Sequence, residues 1–479
     1  MVARNPTKNI RRMRRGTRRL ECLLLLVLTA GCGQEAEPRP QYVVVIDTTA
    51  PVVGQLVEAS ALSADAAIDT LKIDVLNLDS QTIASETIVR PDARDWPVSF
   101  GIATDGPVRL RIQAYRGIFS TVIDGESVPL PATVIARAVE LRAPHGVERV
   151  SIVLDAACRG TAPSFLGGAT TCLDAEHLSA PASEGVSLVE RVPASVAGTW
   201  PAANAEPCKR AAAAGTQCIP GGFFVLGDAT LIDLTSEPEA STPLRPVLLS
   251  PFFADTYEMT VGRYRALAAE GKVTGTLPAK KSSDPSSPLS FCTWLGPSDP
   301  SNDDLPLNCL GWEAAAAACA EVGGRLLTEA EWEYAARGRG QRRVFTWGDE
   351  ASCCAASMGR SSLDITGEPE CEGVGVEAVG SHLGKAACAG LGDVSRDGVV
   401  DLVGSLREFT LDAFVLYSEG CWQSTAILRN PRCEGADNLK NTIRGGSWNA
   451  ALSASRLQLR SKNAPSSPTI GFRCAYDDS

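Results

Sequence analysis

Residues 444–473, RGGSWNAALSASRLQLRSKNAPSSPTIGFR, are the stretch of sequence that decides the fold. The segment opens with Gly445-Gly446, a pair that lets the backbone approach a neighbour closely or adopt a positive φ. A basic segment follows, and the stretch ends in Gly-Phe-Arg directly before Cys474. It contains no cysteine of its own. The interpretation of the rest of the chain depends on this pattern.

A second motif, RLLTEAEWEYAARG at residues 325–338, predicts a short helix. Thr328 and Glu331 form a capping box, in which each side chain satisfies a backbone N–H of the first turn. Trp332 and the alanines that follow it are expected to face the core. Gly338 ends the helix. The helix is therefore expected on physical grounds alone.

These two motifs resemble those of the formylglycine-generating enzyme, or sulfatase-modifying factor, family. GGFFVLG at residues 221–227 and RPVLLSPFFADTYEMTVGRY at residues 245–264 extend the resemblance, which runs from about residue 220 to 478. The resemblance implies an α+β fold, a variant of the C-type-lectin type, with two main helices, small twisted sheets and long loops. It also implies a disulfide between Cys319 and Cys474.

The positions that carry the family's chemistry are occupied by other residues here. In catalytic members, two cysteines of the C-terminal segment hold a copper ion and oxidise a substrate cysteine. The matching positions in this chain are Ala450 and Ser455. Linear coordination of Cu(I) needs two soft thiolate ligands, which a methyl group and a protonated hydroxyl do not supply. We therefore expect no copper and no oxidation of this kind.

The scaffold is expected to serve binding or envelope structure instead, because a fold can hold a recognition groove without catalysis. Ser447, Trp448, Arg456 and Arg460 are the candidates to line that groove. The expected partner is an exported protein, a peptide or a glycan. Two alternatives remain: a formylglycine-generating or altered oxidase that acts on an exported protein, and a purely mechanical stalk.

The segment DLVGSLREF at residues 401–409 resembles the family's calcium-binding block. The resemblance implies that Asp401 and Glu408 supply side-chain oxygens and that Gly404 and Leu406 supply carbonyl oxygens to a structural Ca²⁺. Hard oxygen ligands are what this ion requires. The alternative is an acidic turn that is simply solvated.

Other metal and nucleophile chemistries find no support in the sequence. The three histidines, His145, His177 and His382, are scattered over separate regions, which argues against a non-haem iron site. No Gly-x-Ser-x-Gly elbow occurs, so a serine hydrolase triad is not expected. Removal of residues 1–31 takes away eight basic residues and one acid and changes the net charge from −11 to about −18, so no basic patch remains for nucleic acid.

The first 31 residues read as a lipoprotein signal peptide. Seven arginines precede a short apolar run, and small residues lead to Cys32, the expected site of lipidation. Residues 32–41 are polar and suit a tether to a membrane anchor. We expect an exported, membrane-anchored protein of the bacterial cell envelope, in the outer membrane or periplasm; a plainly cleaved, secreted protein is the alternative.

Residues 42–157 show short Val- and Ile-rich runs separated by turn residues, which predicts an all-β sandwich of immunoglobulin-like type. Residues 158–219 are expected to be a linker stapled by Cys158–Cys172 and Cys208–Cys218. Fourteen of the 16 cysteines follow residue 32, an even number that indicates disulfides in an exported chain. Cys421 and Cys433 are expected to pair, although sequence alone does not determine connectivity.

Overall fold

The structure is a computed structural model that describes residues 39–56, 61–229, 241–273, 275–362, 371–384, 388, 390–424, 426–434, 441–462 and 466–478. The expected signal peptide, the lipidation residue Cys32 and most of the tether lie outside these ranges, so all three stay predictions. Within the ranges, none of the helices combines the length and the apolar character that a membrane crossing requires.

The N-terminal part of the described chain is built from strands and short 3₁₀ turns. Its strands are β1 (Gln41–Thr48), β2 (Thr70–Leu76), β3 (Thr82–Val89), β4 (Val98–Ala103), β5 (Val108–Tyr115), β6 (Ser120–Ile123), β7 (Glu126–Pro129), β8 (Ile135–Leu141), β9 (Val147–Leu154), β10 (Thr170–Thr171), β11 (Ala180–Pro181) and β12 (Ser187–Leu188). One sheet has the order β12-β9-β1-β4, and a second has the order β3-β2-β5-β8. In the first sheet β1 runs parallel to β9 and antiparallel to β4.

These two sheets share one hydrophobic core, which alternation along the strands explains. In β5, Val108, Leu110, Ile112 and Ala114 are buried, while the residues between them are partly exposed. They join one cluster with buried residues of β1, such as Val44, and of β9. The N-terminal part therefore has the two-layer, all-β character that the sequence pattern indicates.

The C-terminal part combines small sheets with three α-helices in the described ranges. Its strands are β13 (Thr216–Ile219), β14 (Gly222–Leu226), β15 (Arg245–Leu249), β16 (Phe252–Asp255), β17 (Arg325–Leu326), β18 (Arg407–Ala413), β19 (Leu428–Arg429), β20 (Asn441–Arg444), β21 (Arg460–Lys462), β22 (Ile470–Gly471) and β23 (Cys474–Asp477); its helices are α1 (Val261–Ala269), α2 (Trp312–Glu321) and α3 (Glu329–Ala336). The sheets have the orders β13-β16-β23-β17, β14-β15-β19 and β21-β20-β18-β22.

The stretch 444–473 wraps around β18. It begins at the end of β20 and continues through β21 to β22, so that β18 lies between an antiparallel and a parallel neighbour. The glycine pair is required by close approach: a Cβ on Gly446 would lie 2.2 Å from the Ser455 Oγ. Gly445 has a φ of +75° and faces the Leu402 carbonyl oxygen.

Helix α3 begins as the sequence predicts. The Thr328 hydroxyl accepts a hydrogen bond from the Glu331 N–H at 3.2 Å, and the Thr328 N–H donates to the Glu331 carboxylate at 2.8 Å. Gly338 follows the helix with a φ of +58°. Every residue of α3 is buried, so this helix is a central element of the C-terminal part rather than a surface one.

Strand β14 joins the two parts through its two faces. Phe223 and Val225 pack in the core shared by the N-terminal sheets, whereas Phe224 and Leu226 pack in a core of the C-terminal part. The segment 158–219 is also divided, because β12 pairs with β9 and β13 pairs with β16. Parts of this expected linker are thus strands of the sheets on either side.

Candidate functional site

Ala450 and Ser455, which the resemblance assigns to the family's copper positions, lie in a tightly packed turn, which we call the copper-position turn. Ser455 is fully buried, and its hydroxyl donates to the Ala451 carbonyl oxygen at 3.3 Å. Ala450 is 7% exposed; its N–H donates to the Ser447 carbonyl, and its carbonyl accepts from the Gly359 N–H. No sulfur stands at either position, so this turn has no thiolate with which to hold Cu(I).

Every cysteine after residue 32 lies in the described ranges and forms a disulfide. The bridges are Cys158–Cys172, Cys208–Cys218, Cys292–Cys309, Cys319–Cys474, Cys353–Cys371, Cys354–Cys388 and Cys421–Cys433. The described ranges therefore contain no pair of free thiols in place of the family's copper ligands.

The four expected groove residues do not line one surface. Ser447 is buried, and its hydroxyl donates to the Asn449 side chain at 3.0 Å. Trp448 is buried, with its indole N–H donating to the Pro468 carbonyl. Arg460 has a fully buried side chain, which forms an ion pair with the equally buried Glu329. Arg456 is partly exposed and lines a cleft. Ser447, Trp448 and Arg460 are buried and therefore do not line a groove, contrary to the expectation from the sequence.

Arg460 belongs to a buried chain of alternating charges. Its guanidinium donates twice to Glu329, at 2.6 and 2.7 Å, and Arg444 donates to the same carboxylate at 3.1 Å. Arg444 also pairs with Glu333, which accepts from Arg337 at 2.8 Å. A buried ion pair is stable when each charge is matched and hydrogen-bonded. Arg444, the first residue of the stretch 444–473, is thus a structural residue.

The chain of charges continues into the N-terminal part. Asp65 is buried and lies 3.8 Å from the Arg337 guanidinium. Its Oδ2 accepts the Val225 N–H of β14 at 3.0 Å, and burial raises the pKa of this carboxyl. The sequence reasoning missed Asp65, because nothing local to it indicates a partner so far along the chain.

The expected calcium ligands are placed around a buried arginine. Arg473 donates to both oxygens of Glu408 at 2.6 to 2.9 Å, and the Trp332 indole donates to the same carboxylate at 3.0 Å. The Asp401 carboxylate accepts from the Gly380 N–H at 2.6 Å. Glu408 is therefore already matched to a cation.

The two carbonyl positions of the expected calcium set lie in the same buried turn. Gly404 has a φ of +73°, and a Cβ there would lie 2.2 Å from the Ser357 carbonyl oxygen. The Leu406 N–H donates to the carboxylate of Glu258 at 3.0 Å. These contacts hold the turn against its neighbours by hydrogen bonds and close packing.

Excess negative charge surrounds Arg473. Burial, and then the charge of Glu408, raises the pKa of Glu258 well above its usual value. Burial, and then the charge of Asp401, raises the pKa of Asp393 to about 8. Burial also raises the pKa of Asp401. Such carboxyls are stabilised by protonation or by a cation.

The fit to calcium is incomplete. The donor chemistry is suitable, since all four positions offer oxygen. Both oxygens of Glu408, however, are engaged by Arg473. Among the described residues, no group of three or more His, Cys, Asp or Glu side chains is arranged to hold a metal ion. Calcium at this turn stays a prediction.

A cleft of about 410 Å³ lies beside the copper-position turn; we call it the Arg360 cleft. Its lining includes Arg360, Glu377, His382, Ser357 and Leu452. The turn contributes Leu452 directly, and the Arg360 N–H donates to the Trp448 carbonyl. This cleft therefore adjoins the turn that carries Ala450 and Ser455.

The polar groups of the Arg360 cleft hold one another in place. The His382 ring contacts the Glu377 carboxylate at 2.8 Å, and Arg360 pairs with that carboxylate at 3.1 Å. Because of the bond to His382, and then the charge of Arg360, the pKa of Glu377 falls to about 2. Sequence reasoning regarded His382 as isolated; the Glu377 partner five positions earlier is a signal too weak to identify alone.

The profile of the sulfatase-modifying factor enzyme 1-like domain family matches residues 201–478, more than half of the chain. The match begins at residue 201, before the boundary near residue 220 that the sequence motifs indicate. The added stretch includes β13, which pairs with β16 of the family domain. A solved structure, PvdO from Pseudomonas aeruginosa, aligns with a TM-score of 0.41 and 23% identity over 54% of this chain and 93% of its own.

Two curated relatives are formylglycine-generating enzymes. That of Streptomyces coelicolor is 29% identical over 323 residues, covering 59% of this chain and 96% of that protein. That of Bos taurus is 26% identical over 294 residues, covering 54% of this chain and 74% of that protein. A third relative, inactive C-alpha-formylglycine-generating enzyme 2 of Bos taurus, is 25% identical and covers 54% of this chain and 86% of that protein.

Proposed function

Because the chain belongs to the sulfatase-modifying factor enzyme 1-like family, we propose that it is a non-catalytic member that uses its family domain for binding or envelope structure. The observation that carries this proposal is the pair Ala450 and Ser455 at the copper positions. The scaffold around them is intact, since the family's motif residues Arg444, Glu329 and Glu333 form a buried ion network. A relative whose printed name includes "inactive" is consistent with such a role.

The Arg360 cleft is the proposed place of binding. Its volume of about 410 Å³ falls within the range of roughly 300–1,000 Å³ typical of ligand sites. Arg360 and Glu377 provide charges of both signs beside the polar groups of Ser357 and His382. Such a lining suits a polar segment of an exported protein, a peptide or a glycan, as expected from the sequence.

We further propose export and lipid anchoring through Cys32, with the protein held in the bacterial envelope. Seven disulfides support an oxidising compartment, because thiols are kept reduced in the cytosol. On fold, we propose that the N-terminal sheets are of immunoglobulin-like type and that the family domain is a C-type-lectin variant. Mass spectrometry of the protein purified from membranes tests the anchor: a diacylated or triacylated Cys32 is expected, and an unmodified, soluble chain contradicts it.

The decisive experiment for the function is a peptide assay with the mature protein. A Cys-x-Pro-x-Arg peptide is incubated with copper and oxygen, and the aldehyde product is sought by mass spectrometry. We expect none. The matched variant is the double substitution Ala450→Cys and Ser455→Cys, which restores two thiols to the copper positions. Aldehyde formation by the unmodified protein would establish the alternative, an altered oxidase, and refute the proposal.

Calcium at Asp401 and Glu408, with the carbonyls of Gly404 and Leu406, is tested by thermal unfolding. After treatment with a chelator, added calcium raises the unfolding temperature if the ion binds the folded state. The shift should disappear in Asp401→Asn and persist in Glu321→Gln, which changes an exposed acid of α2. If added calcium does not change the unfolding temperature, the calcium prediction is wrong and Arg473 is the cation that pairs with Glu408.

A further inference from the structure

A cleft of about 380 Å³, which we call the junction cleft, lies where the N-terminal sheets meet the family domain. One wall includes Phe119, Ser120 and Thr121, the last two in β6. The lining also includes Arg342, Arg343 and Arg456. The cleft is distinct from the Arg360 cleft, since the two share no lining residue.

The three arginines have few protein partners. Arg342 lies over the Phe119 ring, with its guanidinium carbon 5.1 Å from the ring centroid. Arg343 donates to the Thr346 carbonyl oxygen at 3.0 Å. The Arg456 Nε is buried and has no hydrogen-bond partner within the described ranges. In those ranges none of the three forms an ion pair, unlike the paired Arg337 at the same cleft.

The local charge is opposite to that of the chain as a whole. The protein carries a net charge of −11, yet these three guanidinium groups line one recess. Two carboxylates also line it, Asp228 and Asp349, and Asp349 already accepts the Val344 N–H at 3.1 Å. Like charges that are held together without full compensation repel one another, so a bound anion would stabilise this arrangement.

The shape and lining indicate the class of ligand. A guanidinium is a planar fork that binds carboxylate, phosphate or sulfate oxygens in pairs. Phe119, Leu130, Val225 and Leu244 also line the cleft, but Phe119, Val225 and Leu244 are buried, so only a small organic body finds apolar surface there. The volume is that of a small-molecule site.

We propose that the junction cleft binds a small organic anion, in which an oxyanion group contacts Arg343 and Arg456 and the organic body lies beside Arg342, which covers the Phe119 ring. The site requires both parts of the protein, so it gives the N-terminal sheets a direct role in recognition. It does not depend on copper chemistry or on the Arg360 cleft.

Isothermal titration calorimetry of the full mature protein at low salt tests the proposal, with phenyl phosphate, phenyl sulfate and benzoate as probes. At least one probe should bind saturably, and its identity distinguishes the three sources of the oxyanion. Loss of one charged hydrogen-bond donor should weaken binding roughly tenfold or more, in Arg343→Gln and in Arg456→Gln alike. Thr121→Glu, which adds a negative charge to the lining, should weaken binding at least as much.

Arg191→Gln is the matched control, because Arg191 is exposed and does not line the cleft. It should leave affinity unchanged, and the unfolding temperature of each variant reports whether it is folded. The proposal is overturned if none of the probes binds, if affinity survives all three cleft substitutions, or if Arg191→Gln weakens binding as much as they do.

Discussion

Glu329→Gln tests the buried ion network most severely. The Glu329 carboxylate accepts two hydrogen bonds from Arg460, one from Arg444 at 3.1 Å and one from the Tyr417 hydroxyl at 3.0 Å. Glutamine preserves the shape of the side chain but removes the negative charge and one acceptor oxygen. The ion pair of Arg460 with Glu329 is then lost, and Arg444 keeps only its pair with Glu333, which Arg337 also contacts.

The expected cost follows from that geometry. Removing one partner of a buried ion pair costs about 3–5 kcal/mol, because the other charge is left buried and uncompensated. This is a large part of the roughly 5–15 kcal/mol that stabilises a typical domain. The midpoint of urea unfolding, followed by tryptophan fluorescence with disulfides intact, should fall accordingly at an unchanged slope.

Glu321→Gln is the matched control for this experiment. Glu321 is an exposed acid at the end of α2, and its replacement should change the free energy of unfolding by no more than about 0.5 kcal/mol. If Glu329→Gln also costs less than about 1 kcal/mol, the buried ion network does not stabilise the fold.

Three further outcomes are expected. Alkylation of the denatured, unreduced protein followed by peptide mapping should modify none of the cysteines from 158 to 474, and any modified pair contradicts the bridges described. Folding raises the pKa of Asp393 to about 8, so between roughly pH 4 and 8 the folded state binds a proton that the unfolded state does not. The stability of the folded state therefore falls as pH rises through that window. Asp393→Asn should flatten this fall, and an unchanged pH profile of urea midpoints in this variant would refute the raised pKa of Asp393. Asp65→Ala should destabilise the protein by about 1–3 kcal/mol, since the Val225 N–H loses its acceptor, whereas a neutral effect in the same unfolding assay would show that this link is dispensable.

Much of the family domain follows from local sequence. Helix α3 begins at the capping box of Thr328 and Glu331 and ends before Gly338. Each of these end signals consists of residues within about one turn of the helix end that it determines. The pair Gly445-Gly446 indicates close approach, which the structure places against Leu402 and Ser455. Such features can be predicted from sequence because the residues that cause them lie close together in the chain.

The site was less predictable, because its contacts join distant residues. Arg460 looks like an exposed basic residue in sequence, but its partner Glu329 lies 131 positions away. Burial of both side chains turns a candidate groove residue into part of the core. The junction between the two parts is similarly hidden, since alternate residues of β14 face different cores.

A copper titration tests the central claim most directly. Cu(I) is titrated into the mature protein against a chromogenic chelator, beside the double variant Ala450→Cys, Ser455→Cys. We expect the unmodified protein to leave the chelator complex intact, since Ala450 and Ser455 offer no thiolate and all cysteines beyond residue 32 are bridged. One equivalent of copper withdrawn by the unmodified protein would contradict the account.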